Sequence, residues 1–77
     1  MVNFLRFPWE RDSKTLKIIE KLELEHGGLA PLEYIIMEMV TYEGFNREDA
    51  ILKLRELRVK GKIKEVRYGW FKVVGIF

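Results

Sequence analysis

A chain of 77 residues is one domain at most, and a domain of this size buries only about 60% of its unfolded surface. The absence of cysteine excludes disulfides and thiolate metal sites. We therefore expect a reducing compartment, of which the cytoplasm is the simplest choice. The net charge is only +2, and no apolar run approaches the ~18 residues of a membrane span, so we expect no membrane partner. The first residues lack a cleavage-site pattern, which argues against a signal peptide.

The two halves of the chain differ in charge. Residues 1–45 contain five Lys or Arg against eight Asp or Glu, a net charge of −3. Residues 46–77 contain nine against four, a net charge of +5. A basic half is the electrostatic footprint of a nucleic-acid-binding surface, although the same segregation arises on a surface that is only solvated.

The chain begins with a predicted extended arm or linker over residues 1–12, followed by a folded domain over residues 13–77. Leu5, Phe7 and Trp9 alternate with other residues, and Pro8 is expected to block a helix there. We expect the arm to lie across the domain and enlarge its core, because an exposed Phe-Pro-Trp patch would favour aggregation.

Two helices follow the arm. The first is predicted over about residues 13–25, with Asp12 or Ser13 as its N-cap. A stub of strand in "GLAP" leads to a second helix over about residues 31–42, and Pro31 suits its first turn. The apolar positions that recur at helical spacing and should face the core are Leu16, Ile19, Leu22, Leu32, Ile35, Ile36 and Met39.

A third helix and a hairpin complete the domain. The helix is predicted over about residues 47–60, capped by Asn46 after the short turn "YEGF". After Gly61, the segments "KIKEV" and "WFKVV" predict two strands that meet at a tip over residues 67–69. Two helices joined by a short turn and followed by a hairpin predict an α+β fold, a winged helix-turn-helix with three helices and a small antiparallel β-hairpin wing. The inner face of the third helix is predicted to comprise Ala50, Leu54 and Leu57.

The sequence offers little for catalysis. "EHGGLA" lacks the Lys-Ser/Thr of a nucleotide-binding loop, and the single serine, Ser13, has no plausible His and acid partners. The single histidine, His26, has no second His or Cys with which to hold a metal, so we interpret it as a helix-end residue. We therefore expect no catalytic site, no cofactor and no metal.

The sequence indicates nucleic-acid binding more strongly than catalysis, because basic residues are concentrated in one segment. Between Lys53 and Arg67 there are seven basic residues and two acids. On a third helix and a wing strand, these side chains can reach the phosphate backbone. Tyr68 at the wing tip could stack on a base or pack sideways against the strands. The residues predicted to contact nucleic acid are Arg47, Lys53, Arg55, Lys60, Lys62, Lys64, Arg67 and Tyr68.

The outer face of the third helix is less suited to DNA. A face that recognises base sequence would be expected to present Arg, Lys, Asn or Gln, yet Leu52 and Val59 form a small apolar ridge there beside Glu48 and Glu56. This favours a protein contact at Leu52 and Val59, together with weak DNA binding that is not sequence-specific. Alternatively, the first helix or the arm covers the ridge.

Short motifs occur in a fixed order over residues 16–74. They are the Ile-Ile-x-x-Leu of the first helix, Gly-Gly before Pro31-Leu32-Glu33, Gly44-Phe45 before Asn46, Leu57 with Lys60-Gly61-x-Ile63, and Gly69-Trp70-Phe71-Lys72-Val73. Their order and spacing resemble the C-terminal winged-helix domain of archaeal minichromosome maintenance (MCM) replicative helicases. The chain departs from that family at the hairpin, where Val66-Arg67-Tyr68 stands in place of the family's Glu-Pro-containing turn.

The resemblance implies a regulatory module of a DNA replication protein, which modulates ATP hydrolysis and unwinding by its parent helicase. Its implied partners are DNA and either the ATPase domain of the parent helicase or a loading factor, and its implied location is the cytoplasm near the nucleoid. Two alternatives stay open, namely a stand-alone winged-helix regulator of transcription or replication that binds DNA, and a pure protein-interaction module. Dimerisation would favour the first alternative, and protein binding that is insensitive to salt would favour the second.

Overall fold

The computed structural model describes the backbone of residues 8–74 and the side chains of residues 12–74. This part of the chain is an α+β fold of three helices and one three-stranded antiparallel sheet. In chain order the elements are α1 (Pro8–Glu25), β1 (Ala30–Pro31), α2 (Leu32–Glu43), α3 (Arg47–Val59), β2 (Ile63–Arg67) and β3 (Trp70–Val73).

Helix α1 begins earlier than the sequence predicts. The expectation that Pro8 blocks a helix is wrong, because Pro8 is itself helical and is the first described residue of α1. A proline is tolerated in the first turn, where its missing N–H would have no partner within the helix and its fixed φ suits the helical backbone. Asp12 therefore lies inside α1, so neither it nor Ser13 is the N-cap. The rest of the predicted arm, residues 1–7, lies outside the described residues.

The bounds of α2 and α3 confirm the predictions to within one residue. Helix α2 ends at Gly44, which adopts a left-handed conformation (φ 78°) and donates its N–H to the Met39 carbonyl. Glycine adopts this conformation without a steric penalty. Helix α3 begins after Asn46, whose side chain accepts a 2.8 Å hydrogen bond from the backbone N–H of Asp49. That bond satisfies one of the free N–H groups at the start of the helix.

The sheet has the strand order β1-β3-β2, and both pairings are antiparallel. Strands β2 and β3 form the predicted hairpin, which turns at Tyr68 and Gly69. The register shifts between Glu65 and Arg67, so a β-bulge lies just before the turn. A carboxylate oxygen of Glu65 accepts a 2.8 Å hydrogen bond from the Gly69 N–H and thereby fixes the turn.

The core lies between the three helices and the sheet. Its buried members confirm the predicted inner face of α3 and most of the predicted positions of α1 and α2, while Leu16 and Leu32 are only partly buried at its edge. Because α3 is anchored through one face, its outer face and both of its flanks are available for contacts with other elements or with ligands. The buried residues are Ile19, Leu22, Ala30, Ile35, Ile36, Met39, Ala50, Leu54, Leu57, Ile63, Phe71 and Val73.

Candidate nucleic-acid interface

The basic residues of α3 are divided between two flanks of the helix. Lys53 lies against α1, where its ammonium group reaches a carboxylate of that helix. Arg55 and Arg58 instead line a groove that opens toward the β2–β3 turn. Sequence reasoning grouped these residues into one basic patch, whereas the structure gives the two flanks different partners.

On the α1 flank, a single buried carboxylate binds three lysines, and we call this group the Asp12 cluster. Asp12 is only 1% exposed. It accepts hydrogen bonds from the ammonium groups of Lys53 at 2.6 Å, Lys62 at 2.9 Å and Lys60 at 3.1 Å. Burial alone would raise the pKa of Asp12, but the hydrogen bonds from the three lysines outweigh it and hold that pKa well below its usual range.

The Asp12 cluster joins three elements that are distant in the chain. It connects α1 to the C-terminal half of α3 and to the first residues after that helix. Glu56 adds a second carboxylate, 3.1 Å from the Lys60 ammonium and 3.8 Å from that of Lys53. Three of the residues predicted to contact nucleic acid, Lys53, Lys60 and Lys62, therefore direct their charges at α1.

On the opposite flank, arginines line a groove of about 270 Å³ between α2, α3 and the hairpin. We call it the arginine groove, and it is defined by Arg47, Arg55, Arg58 and Tyr68. Its floor is apolar and includes Ile51. Arg58 was counted in the basic segment of the sequence but was not assigned to the site, although its spacing of 11 residues from Arg47, about three helical turns, puts both on one flank of α3.

The two arginine partners differ in exposure, since the side chain of Glu33 is 63% exposed and that of Glu65 is 23% exposed. The Arg47 guanidinium forms two hydrogen bonds with Glu33 of α2, at 2.8 and 2.9 Å, and these lower the pKa of the Glu33 carboxyl. Arg58 lies 3.5 Å from a carboxylate oxygen of Glu65. Among residues 12–74, Arg55 has no ion-pair partner. The Arg47–Glu33 pair is open to water and contributes little to stability, so another anion can replace the Glu33 carboxylate at small cost.

The hairpin places further predicted residues beside this groove. Tyr68 is 97% exposed at the turn. Lys64 and Arg67 are exposed on β2, and within the described side chains neither has a carboxylate in ion-pair contact. The structure therefore brings Arg47, Arg55 and Tyr68 together with Arg58 in one groove, and it places Lys64 and Arg67 on the strand that leads to the turn.

A second groove, of about 380 Å³, lies on the other side of Tyr68. We call it the aromatic groove, because Tyr34, Tyr68 and Trp70 line it together with Pro31. Sequence reasoning did not assign Tyr34 or Trp70 to a site. Nothing in the local pattern marks them, since they meet only when the first turn of α2 packs against the end of the hairpin, where the Leu32 N–H donates to the Gly69 carbonyl at 2.9 Å.

The apolar ridge of α3 is exposed. Leu52 is 56% exposed and Val59 is 83% exposed, so helix α1 does not cover them. An open groove of about 550 Å³ lies next to Leu52 and is also lined by Phe45 and Lys14. The possibility that the arm covers this ridge concerns residues 1–7, which lie outside the described residues.

The remaining predictions concern a metal site, the role of His26 and a membrane span. In the part of the chain that the structure describes, no group of three or more His, Cys, Asp and Glu side chains could hold a metal ion. The His26 Nδ1–H donates to the Leu22 carbonyl at 2.9 Å, at the end of α1. No helix within residues 8–74 has the length and apolar character needed to cross a membrane.

Comparisons of the chain with models of known protein families, with curated proteins and with solved structures found no match. A functional assignment therefore depends on the geometry of the site and on the pattern of sequence motifs.

Proposed function

We propose that the chain is a winged helix-turn-helix module that binds the DNA backbone through its arginine groove. The order of its elements supports this fold, because α2 and α3 are joined only by Gly44–Asn46 and are followed by an antiparallel hairpin. In such modules the second helix of the pair and the hairpin, or wing, lie side by side on the surface that faces the nucleic acid.

The arginine groove is the observation that carries the proposal. Arg47, Arg55 and Arg58 lie along one flank of α3, beside the wing turn. A planar guanidinium group matches a phosphate with two parallel hydrogen bonds, and it is more weakly hydrated than an ammonium group. Glu33 and Glu65 hold two of these guanidinium groups in place in the free protein. A phosphate that enters the groove replaces the exposed Glu33 carboxylate at Arg47 and releases counterions from the DNA.

The composition of α3 supports backbone binding rather than sequence recognition. The face farthest from the core presents Leu52 and Val59 with Glu48 and Glu56, and these groups do not suit the acceptor-rich edges of bases in the major groove. The arginines belong to one flank, so they reach the phosphates that border a groove of the DNA. The binding is weak, not sequence-specific, and strongly dependent on salt.

The proposal divides the predicted basic contact residues, together with Arg58 from the groove, into two groups. Arg47, Arg55 and Arg58 in the groove, with Lys64 and Arg67 on the wing strand, contact phosphates. Lys53, Lys60 and Lys62 contribute less, because a phosphate would have to compete with the buried carboxylate of Asp12 for their hydrogen bonds.

A titration with a short blunt DNA duplex tests the proposal. Fluorescence anisotropy between ~50 and ~200 mM salt is expected to show a log–log slope of about −3 to −5, the value for three to five neutralised phosphates. Reversing two charges in the groove, with Arg55→Glu and Arg58→Glu together, is expected to weaken binding at least tenfold at the lower salt concentration.

The matched control reverses Lys14 and Lys17 to Glu on the exposed side of α1, which changes the net charge by the same amount. That control is expected to alter the affinity less than threefold, because these lysines lie outside the groove. An equal loss in both variants would mean that only net charge matters, and the arginine groove would then not be the site.

The cellular setting of the module comes from its motifs. On the resemblance to archaeal MCM helicases, the chain is a regulatory domain of a replicative helicase, with the ATPase domain or a loading factor as protein partner. The exposed ridge of Leu52 and Val59 supports such a partner, because these side chains lie outside both the core and the arginine groove.

Aspartate at both ridge positions tests this second surface. The double variant Leu52→Asp and Val59→Asp is expected to keep the thermal midpoint of the wild type within a few degrees and to bind DNA no more than threefold more weakly, since both side chains are exposed. It is expected to lose binding to the MCM ATPase ring in a pull-down with the purified ring. A variant that unfolds would place these side chains in the core, and unchanged binding to the ring would remove the ridge from the interface.

A further inference from the structure

The aromatic groove and the arginine groove are neighbours that share a wall. Tyr68 and Leu32 line both of them. A nucleic-acid strand whose phosphate lies beside Arg47 would therefore have its sugar and base next to the ring of Tyr68. The apolar ring surfaces of the aromatic groove continue from that point, away from the arginines.

Two of the three aromatic rings have fixed positions. The ring of Tyr34 meets the ring of His26 edge to face, with centroids 4.9 Å apart and an interplanar angle of 77°. The hydrogen bond from His26 to the Leu22 carbonyl holds that histidine in turn. Trp70 lies in β3, paired with Pro31 on one side and Arg67 on the other. Tyr68 is the exposed third ring, so a flat group could enter the groove without displacing core residues.

The acids at the edge of the aromatic groove are already engaged. Glu33 binds Arg47, and Glu65 accepts the Gly69 N–H and lies near Arg58. In the free protein, the described residues of the groove therefore present no unpaired carboxylate to a cationic ligand. What it offers is ring surface next to a set of guanidinium groups, which suits an uncharged planar group attached to an anionic backbone. A nucleobase is such a group.

We propose that the aromatic groove receives unpaired nucleobases of a strand whose backbone lies in the arginine groove. This inference rests on the proposed function and specifies its ligand class, a duplex with a single-stranded tail. Bases within a duplex are stacked on one another and do not present their faces to a protein, whereas the bases of a tail can stack on aromatic side chains. A nucleobase is favoured over other apolar occupants because the aromatic groove is continuous with the arginine groove, where the phosphates of the same strand would bind.

Two tailed duplexes test the inference. One has a short tail of thymidines and the other has an abasic tail of the same length, so that both add the same number of phosphates. In anisotropy titrations at ~50 mM salt, the thymidine tail is expected to bind about tenfold more tightly than the abasic tail. A 2-aminopurine in the tail is expected to lose fluorescence on binding, because stacking on an aromatic ring quenches it.

Variants at the wing tip assign the effect to a ring. Tyr68→Ala is expected to weaken binding of the thymidine tail about tenfold more than binding of the abasic tail, and so to abolish the preference. Tyr68→Phe keeps the ring without the hydroxyl and is expected to preserve the preference. Because Tyr68 is almost fully exposed, neither change is expected to affect folding.

The outcomes separate the two proposals. If no DNA binds at ~50 mM salt, the proposed function fails, and the inference fails with it. If the blunt duplex binds with the expected salt dependence but both tails bind equally, only the inference is overturned, and an occupant such as a proline-containing peptide becomes the better candidate for the groove. An equal loss for both tails in Tyr68→Ala would assign Tyr68 to the sugar–phosphate backbone and would also overturn the inference.

Discussion

Three basic residues lie on each side of α3, counting two that follow the helix, and the two sets differ in what they contact. On the α1 flank, Lys53 shares the buried carboxylate of Asp12 with Lys60 and Lys62 from the turn that follows α3. On the wing flank, Arg47 pairs with Glu33, which is open to water, and Arg58 lies 3.5 Å from the partly buried Glu65. One flank therefore holds the fold together, and the other keeps its charges accessible to a ligand.

Burial of the partner explains the difference. A buried carboxylate is not solvated by water and is stabilised by the cations that pair with it. Removing the carboxylate or its cations therefore leaves an uncompensated charge and strongly destabilises the fold. An exposed carboxylate exchanges a cation for water at little cost. A count of basic residues does not show which of them have a buried partner. The burial of the partner decides which basic side chains are accessible to a ligand.

The largest effect is expected from Asp12→Asn, which keeps the shape of the side chain and removes its charge. The variant leaves three lysines facing one another without their carboxylate, so we expect the free energy of unfolding at pH 7 to fall by about 3 kcal/mol. Equilibrium unfolding in urea, followed by circular dichroism, measures the loss.

The matched control is Glu33→Gln, which removes the exposed carboxylate that binds Arg47 on the other flank. We expect no measurable change in its urea midpoint, and a DNA affinity equal to or slightly above that of the wild type, since one competitor for the arginine is gone. Equal destabilisation by the two variants would remove the distinction between the flanks.

Local patterns in the sequence predicted most of the helices and the hairpin. The inner face of α3, its Asn46 cap and the glycine-containing turns are each encoded within a few neighbouring residues, and all three predictions are confirmed. The predicted start of α1 at residue 13 is wrong, because the helix already includes Pro8. A proline stops a helix in its interior but suits its first turn.

The contacts that define the candidate site lie between distant residues. Asp12 is 41 residues from Lys53 and 50 from Lys62 along the chain, so no spacing rule pairs them. Likewise, Tyr34 and Tyr68 line one groove only because the start of α2 packs against the end of the hairpin. Tertiary packing therefore decides which basic residues stay accessible and which aromatic rings meet, and the sequence predicted the residue types without their partners.

Lowering the pH is expected to weaken the Asp12 cluster by a smaller amount than the Asp12→Asn substitution does. The pKa of Asp12 lies well below its usual range in the folded protein, while an unfolded aspartate titrates near ~3.9. Between these values the unfolded chain binds more protons than the folded one, so stability falls as the pH falls. The contribution of Asp12 is complete above about pH 5 and declines below it by at most ~1.4 kcal/mol per pH unit.

Urea unfolding of the wild type and Asp12→Asn at several pH values between about 6 and 3 measures this contribution. The gap between their unfolding free energies is expected to stay constant down to about pH 5 and to narrow below it, because the variant has no carboxyl at this position to protonate. Carboxylates outside the Asp12 cluster titrate in both proteins and cancel in the difference, whereas Glu56, which shares Lys53 and Lys60 with Asp12, contributes to the narrowing as well. A gap that stays constant to pH 3 would mean that the lysines do not depend on the charge of Asp12, and the contrast between the two flanks would then need another cause.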